Sequence, residues 1–467
     1  MANGETAASA GGGEQRLQLL KVLGPVHVWA LGVGIVLVGE FMGWNFTVGK
    51  GGPEASLIAC WFIGLLYTCV AMVDSEVTST VAAAGGQYAQ AKHIIGPLMA
   101  FNVALYLVLA YTMLEAADAL VVGDLMSQTA AEFGHTGLDP KPYVVLSIAA
   151  LAWLNYRGVA ITLNVNFVIT FIAFVSIVVL FFAAQPWDLG AVMHHEELMV
   201  GLPYGWIGVV AALQFGMWYY LGIEGTTQAA EETRSTRRSL PLGTMTGMIT
   251  LLIAATLTWY VASGLLPWQY LGQAGVPLFD TARVLGIPWI TGFLFIGTAF
   301  SALASANGTI NDASRAWFSL GRDRYLPRVF GAVHPRYRTP FRSIVFLIPV
   351  AISFGFTGLL DQVITFSILS GLLGYTFMTF NMVKFRRQWP IGSIDRGYVH
   401  PFHPLPVITL FILCVATYFA TFLGYGKTLL SVMAFYIVIS VWFHFRRYQF
   451  VERGSQFTMP WPRPQGF

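Results

Sequence analysis

Charge is what this chain has least of. Only 10% of its 467 residues are Asp, Glu, Lys or Arg, while 56% are hydrophobic. A soluble domain carries roughly 25% charged residues, so a soluble globular protein of this size is excluded. Cysteine is also scarce, and Cys60, Cys69 and Cys414 all stand in apolar runs. Neither a disulfide framework nor a Cys-x-x-Cys metal pattern can be built from them, and they read as small buried hydrophobes. His194-His195-Glu196-Glu197 lacks the spacing that puts two imidazoles on one helix face, so it reads as a solvated exterior loop and no metal site is expected. No nucleophile–base constellation supports an intramembrane enzyme. The basic cluster from Arg315 to Arg342 reads as a lipid-headgroup contact, and nothing points to nucleic acid. No cleavable leader shows, because the opening residues are polar and Gly/Ala-rich.

What the chain has is apolar length. A membrane span needs about 20 mostly apolar residues. Twelve such runs lie near 26–49, 54–82, 97–124, 142–157, 159–184, 204–230, 242–266, 289–320, 341–357, 361–384, 404–424 and 427–446. The expected fold class is therefore an all-α membrane protein of about 12 transmembrane helices. With the N-terminus inside, interior loops and tails hold 22 of the 26 basic residues. The exterior then holds only Lys50, Lys141, Arg283 and Lys427. By the positive-inside rule both termini are cytoplasmic, and a multi-pass protein of a bacterial inner membrane is expected. Disordered cytoplasmic tails are expected over residues 1–20 and 451–467. The last two spans, within 400–450, lack polar interiors and glycine breaks, so they read as lipid-facing packing or a homodimer surface.

The first span carries an anomaly in Val38-Gly39-Glu40-Phe41-Met42-Gly43-Trp44-Asn45. A carboxylate stands between two glycines at a depth where an ionisable side chain costs about 2.5–3.5 kcal/mol, which makes it a functional residue by default. Glycine lets a helix unwind, and a broken membrane helix is tolerated only where it faces protein or a water-filled cavity. The sixth span repeats the pattern in Gln214-Phe215-Gly216-Met217-Trp218-Tyr219-Tyr220-Leu221-Gly222-Ile223-Glu224-Gly225. Glycine-interrupted spans at matching places in two halves point to a transporter binding site. They imply a five-plus-five inverted repeat, with residues 21–190 as the first unit and 200–390 as the second. The third span carries Glu115 well inside and Asp118 nearer the outer interface. After the second span, Gly85-Gly86 predicts a break and a short interfacial helix up to Pro97. The eighth span is rich in small residues, Ser301 and Ser305 among them.

These residues together resemble the amino acid–polyamine–organocation superfamily. The matches are Gly34-Ile35-x-x-x-Gly39, then Gly85-Gly86-x-Tyr88 with Gly96-Pro97, then Gly222-Ile223-Glu224 leading to Glu231-Glu232. Asn307, Ser314-Arg315, Arg322-Asp323, Leu326-Pro327 and Thr339-Pro340 follow in the family's order. The resemblance implies a LeuT-type fold with discontinuous first and sixth helices, substrate at their unwound centres, and two further spans after the repeats. Amino-acid-carrying members typically have a small residue where this chain has Glu40. A fixed anion there repels a carboxylate and attracts an ammonium. The run Gly39–Asn45 looks like the ethanolamine permease branch.

The expected substrate is thus a small cationic amine, ethanolamine first, taken in by alternating access. The alternative is a permease of the same superfamily for zwitterionic or cationic amino acids. The expected binding residues are Gly39, Glu40, Phe41, Gly43, Trp44, Asn45, Gln214, Trp218, Tyr219 and Gly222. Glu40 pairs with the ammonium, Trp44, Trp218 and Tyr219 offer cation–π faces, and Asn45 or Gln214 meets the hydroxyl. Trp218 doubles as a gate. Glu115 and Glu224 are the candidate proton carriers, and Ser301 with Ser305 is the place where sodium-coupled relatives hold an ion. The fifth span lacks the lysine that some relatives use and has Asn164 and Asn166 instead. A proton-coupled carrier or a uniporter is expected, without a cofactor.

Overall fold

The computed structural model describes residues 19, 21–81, 83, 85–132, 134–135, 137–184 and 194–450. The two tails expected at 1–20 and 451–467 lie outside these, apart from residue 19, as does most of the loop after the fifth span. Among the described residues every named element is a helix. Nine helices are long and apolar enough to cross a membrane. One of them, Leu405–Phe450, leaves helical geometry at Tyr425 (φ −137°, ψ 42°) and so folds into two spans. The shorter Lys141–Arg157 and Phe341–Gly355 bring the set to the twelve expected from hydropathy.

Burial sorts the spans. Of the apolar windows of the first and sixth spans, 78% is buried, against 33% for the fifth and for the last pair. The tenth span matches them at 78% and the third follows at 72%, so the two that carry the glycine–glutamate motifs are among the innermost helices. The last pair turns Phe411, Ile412, Val415, Phe419 and Phe422 outward, as a lipid-facing surface requires.

The predicted breaks appear where glycine stands. Gly85 and Gly86 adopt φ +93° and +44°, and the short helix Gln87–Ile94 follows, ending at Gly96 with φ +136°. In that helix, burial and the neighbouring Lys92 hold the His93 imidazole down to about 4, so it sits neutral. The fourth span stops at Gly158, φ +142°.

The arginine-rich end of the bundle is clamped by ion pairs whose members come from the separate sequence motifs. Arg315 reaches Glu232 through two bonds of 2.5 and 2.8 Å, and both side chains are buried. Arg322 meets Glu231 at 2.8 Å. Asp323 accepts from Tyr88 at 2.7 Å and from Lys92 at 2.6 Å. The strand-like segment before the first span adds backbone bonds, with Val22 and Leu23 donating to the Glu232 carbonyl and Arg234 to that of Leu23. A second buried group joins Glu76 of the second span to Arg386, Arg396 and His400.

Removing one partner of a buried pair leaves an uncompensated charge and costs about 3–5 kcal/mol. Arg315→Ala is expected to lower the thermal unfolding midpoint sharply in detergent. Arg315→Met with Glu232→Gln, which removes both charges, should recover most of that loss.

Candidate functional site

The two motifs meet at the centre of the bundle. A Cβ placed on Gly39 would stand 2.2 Å from the Trp218 carbonyl, and one on Gly43 would stand 2.7 Å from the Tyr219 ring. Only glycine lets the first and sixth backbones approach this closely. The sixth span is truly broken there. It runs as an α-helix over Gly205–Gly216, then as 3₁₀ turns over Met217–Tyr219 and Ile223–Thr227, with Gly222 left-handed at φ +109° between them.

The first span is interrupted more gently than the expected unwound centre. It divides into Pro25–Val36, Val38–Met42 and Trp44–Gly51, yet the junction residues Leu37 and Gly43 both keep right-handed helical dihedrals. The physical reason is steric: the Trp218 carbonyl packed on Gly39 and the Tyr219 ring on Gly43 leave the first span no room to splay. The freed backbone lies mainly in the sixth span.

Glu40 is fully buried at this junction. One carboxyl oxygen lies 3.3 Å from the Thr258 hydroxyl of the seventh span, and the other has no hydrogen-bond partner. The Thr258 proton is also within reach of the Ala254 and Ala255 carbonyls, at 2.9 and 3.1 Å, so Glu40 shares it. Trp44 donates its indole N–H to the same Thr258 oxygen at 3.1 Å. No basic side chain forms an ion pair with Glu40 among the described residues. Trp44 stacks on Tyr219 at 4.2 Å, and Tyr219 bonds Thr47 at 2.6 Å. The sides of Trp44 and Tyr219 that face each other are therefore closed to a cation. Trp218 is fully buried with its indole N–H unpartnered, beside Phe46 at 5.9 Å. Phe41 is buried against Gly297 of the eighth span.

Several expected site residues are engaged elsewhere. Asn45 donates to the Ala274 carbonyl at 2.8 Å and caps the Phe46 N–H, tying the first span to the loop after the seventh. Gln214 uses one end on Thr365 at 2.9 Å and the other on Lys50 at 3.3 Å. Glu224 accepts from the Gly222 N–H at 3.2 Å and from Tyr375 at 2.7 Å, so it caps the broken backbone of its own span. Ser301 donates to the Thr298 carbonyl one turn back. Ser305 reaches across to the Ile35 carbonyl of the first span at 2.6 Å. Glu115 is buried inside, as expected, but Asp118 is not near an interface: it is fully buried beside Ser305. In the fifth span, Asn166 donates to the Ala30 carbonyl at 3.1 Å and accepts from Asn307 at 3.1 Å. It serves as a neutral pin on the first span.

Two further residues that the sequence reading did not name contribute here. Thr258 is one of several threonines in its span, and its role depends on a neighbour 218 residues away. Asp74 is different. It is buried in the second span, held by Gln87 and Gln90 at the interfacial helix and by Thr227 of the sixth. The burial argument that singles out Glu40 applies to it equally.

The sequence model of a family described as amino acid permease matches residues 23–457. An uncharacterised transporter of Rhizobium meliloti (strain 1021) is 67% identical over 99% of this chain and 100% of its own length. The methylthioribose transporter of Bacillus subtilis (strain 168) is 24% identical over 84% of this chain and 86% of its own. The human cystine/glutamate transporter is 22% identical over 92% and 87%.

Gly39→Ala is expected to force the first and sixth spans apart and to destabilise the fold by about 1–3 kcal/mol, as overpacking does. Gly292→Ala in the eighth span, where a Cβ meets nothing within 4 Å, should be neutral or slightly stabilising. Thermal unfolding of the two variants side by side reads the difference.

Proposed function

The chain belongs to the amino acid permease family, an integral multi-pass membrane transporter of small molecules, and on that premise we propose that it imports a small cationic amine, ethanolamine first. The observation that carries this reading is Glu40. A carboxyl group without an ion pair stands at the meeting point of the first and sixth spans, with one oxygen unpartnered. An ammonium supplies the missing counter-charge, and in a low-dielectric site that pairing far outweighs its value in water. A substrate carboxylate brought to the same place meets repulsion instead.

The relatives leave the substrate open. One is named for methylthioribose and another for cystine and glutamate, so membership alone selects no chemistry. The residue at position 40 supports the cationic reading. In this reading Thr258 holds the Glu40 carboxylate in place, the free Trp218 N–H faces the substrate hydroxyl, and the Trp218 ring closes over the bound amine. Glu224 stays with Gly222 and Tyr375 as a brace for the broken helix. The arginine-rich end faces the cytoplasm of a bacterial inner membrane. Rocking of the paired first and sixth spans against the rest of an inverted repeat alternates access.

A ligand that binds the folded state alone stabilises it by about 2.7 kcal/mol at a hundredfold excess over Kd. Ethanolamine is expected to raise the unfolding midpoint of the purified protein, and alanine is not. Glu40→Gln should unfold at or above the unliganded wild-type midpoint and gain nothing from ethanolamine. Stabilisation of the wild type by alanine, or of Glu40→Gln by ethanolamine, overturns the assignment.

A further inference from the structure

The third span buries two more carboxyl groups that no cation balances. Glu115 and Asp118 are 1% and 0% exposed. Three residues apart, they share one helical face. Both oxygens of Asp118 and Oε2 of Glu115 have no hydrogen-bond partner, and neither residue forms an ion pair among the described residues. The fourth, ninth and tenth spans meet this stretch with Val144, Ile148, Ala351 and Ser367, none of which ionises. The eighth span brings Ser305. Its own ionisable groups, Asp312 and Arg315, come seven and ten residues later, about 10 and 15 Å along the helix.

Two adjacent carboxyl groups at such a site cannot both ionise. At least one proton stays. We propose that Glu115 and Asp118 hold the coupling proton of this transporter between them. The inference rests on the transport reading and adds the place where the driving ion binds.

The geometry also supplies a link to the moving part. Asp118 lies beside Ser305, whose hydroxyl donates to the Ile35 carbonyl at 2.6 Å. While the first span packs on the eighth, that hydroxyl proton is taken and Asp118 keeps its own. When the first span swings away, Ile35 leaves and the freed hydroxyl donates to Asp118. A hydrogen bond to the charged form favours ionisation, so the proton departs to water. Return of the first span restores the protonated pair. Each cycle moves one proton, and no bond other than O–H is made or broken. A sodium ion is the poorer occupant. Ser305 and the Ile35 carbonyl are bonded to each other and Ser301 to its own helix, so neither pair is splayed around an ion.

The test uses full-length protein in proteoliposomes with ethanolamine as the probe. An inside-alkaline pH gradient should drive ethanolamine accumulation in the wild type, and a sodium gradient should not. Asp118→Asn, checked for folding by a single elution peak and cooperative unfolding, should lose gradient-driven accumulation by at least about tenfold, and Asp118→Glu should recover part of it. Accumulation driven by sodium, or undiminished in Asp118→Asn, overturns the proposal. Infrared spectroscopy gives a readout that needs no substrate. At neutral pH the wild type should show stronger protonated-carboxyl absorption than Glu115→Gln/Asp118→Asn. Equal bands in the two proteins overturn the shared proton. If ethanolamine neither binds nor moves, the amine reading fails while the infrared result still decides the proton site.

Discussion

The cost of holding a carboxylate away from water governs this structure. Its buried acids differ in how that cost is met. Glu76, Glu232 and Asp323 each lie against arginine, lysine or histidine, and all three stand at the arginine-rich end. There they join helices that are distant in the chain, at the ends that must stay together. Glu40, Glu115 and Asp118 lie deeper and have no such partner among the described residues. Asp74 and Glu224 fall between, satisfied by amides and hydroxyls alone. Charge pairing builds the clamp, and on the proposed reading Glu40, Glu115 and Asp118 are the unpaired acids where cargo and proton come and go.

The central contact divides the work between two helices. The first span keeps helical dihedrals through its interruptions, because the sixth span packs on its glycines. The sixth gives up its helix, and Gly222 takes the left-handed conformation that releases the backbone. That release is stabilised from within, since Glu224 caps the Gly222 N–H and Tyr375 holds Glu224. A helical element bearing Glu40 thus meets a loosened element bearing freed peptide groups. Rigid placement of Glu40 and adaptable placement of the groups around Trp218 follow from which helix was broken.

Much of this was legible in the chain. Apolar length and glycine position yielded the spans, the interfacial helix and the meeting of the two glutamate motifs, because each depends on local pattern and on the depth it implies. The scattered motifs proved to be partners: Tyr88 with Asp323, Glu231 with Arg322, Glu232 with Arg315. Their adjacency is a property of the folded bundle and cannot be seen in one motif alone. Side-chain direction was less legible. Asn45 and Gln214 stand next to the motifs yet point to Ala274 and to Thr365 with Lys50. A polar residue near a break has several carbonyls within reach, and sequence does not say which is nearest. Asp118 was placed too far out because depth was counted from the end of the apolar run. The helix continues to Glu132, well past the expected end, and Asp118 packs beside Ser305, whose hydroxyl meets Ile35 of the first span.

The same stretch of the first span touches both unbalanced carboxyl sites. Ile35 accepts from Ser305 beside Asp118, and Glu40 follows five residues later, about 7.5 Å along a helix. Because the span stays helical between them, displacement at one end is carried to the other with little loss. On the proposed reading, an ammonium that draws Glu40 toward itself also shifts the Ile35 carbonyl against Ser305, and with it the balance between the protonated and ionised forms of Asp118. By reciprocity, a proton gained or lost at Asp118 changes the affinity at Glu40 by the same factor. Coupling of this kind needs no long relay through the protein. It needs one segment that keeps helical dihedrals with a carboxyl group at one end and a carbonyl at the other, and on this proposal Ile35-Val36-Leu37-Val38-Gly39-Glu40 is that segment.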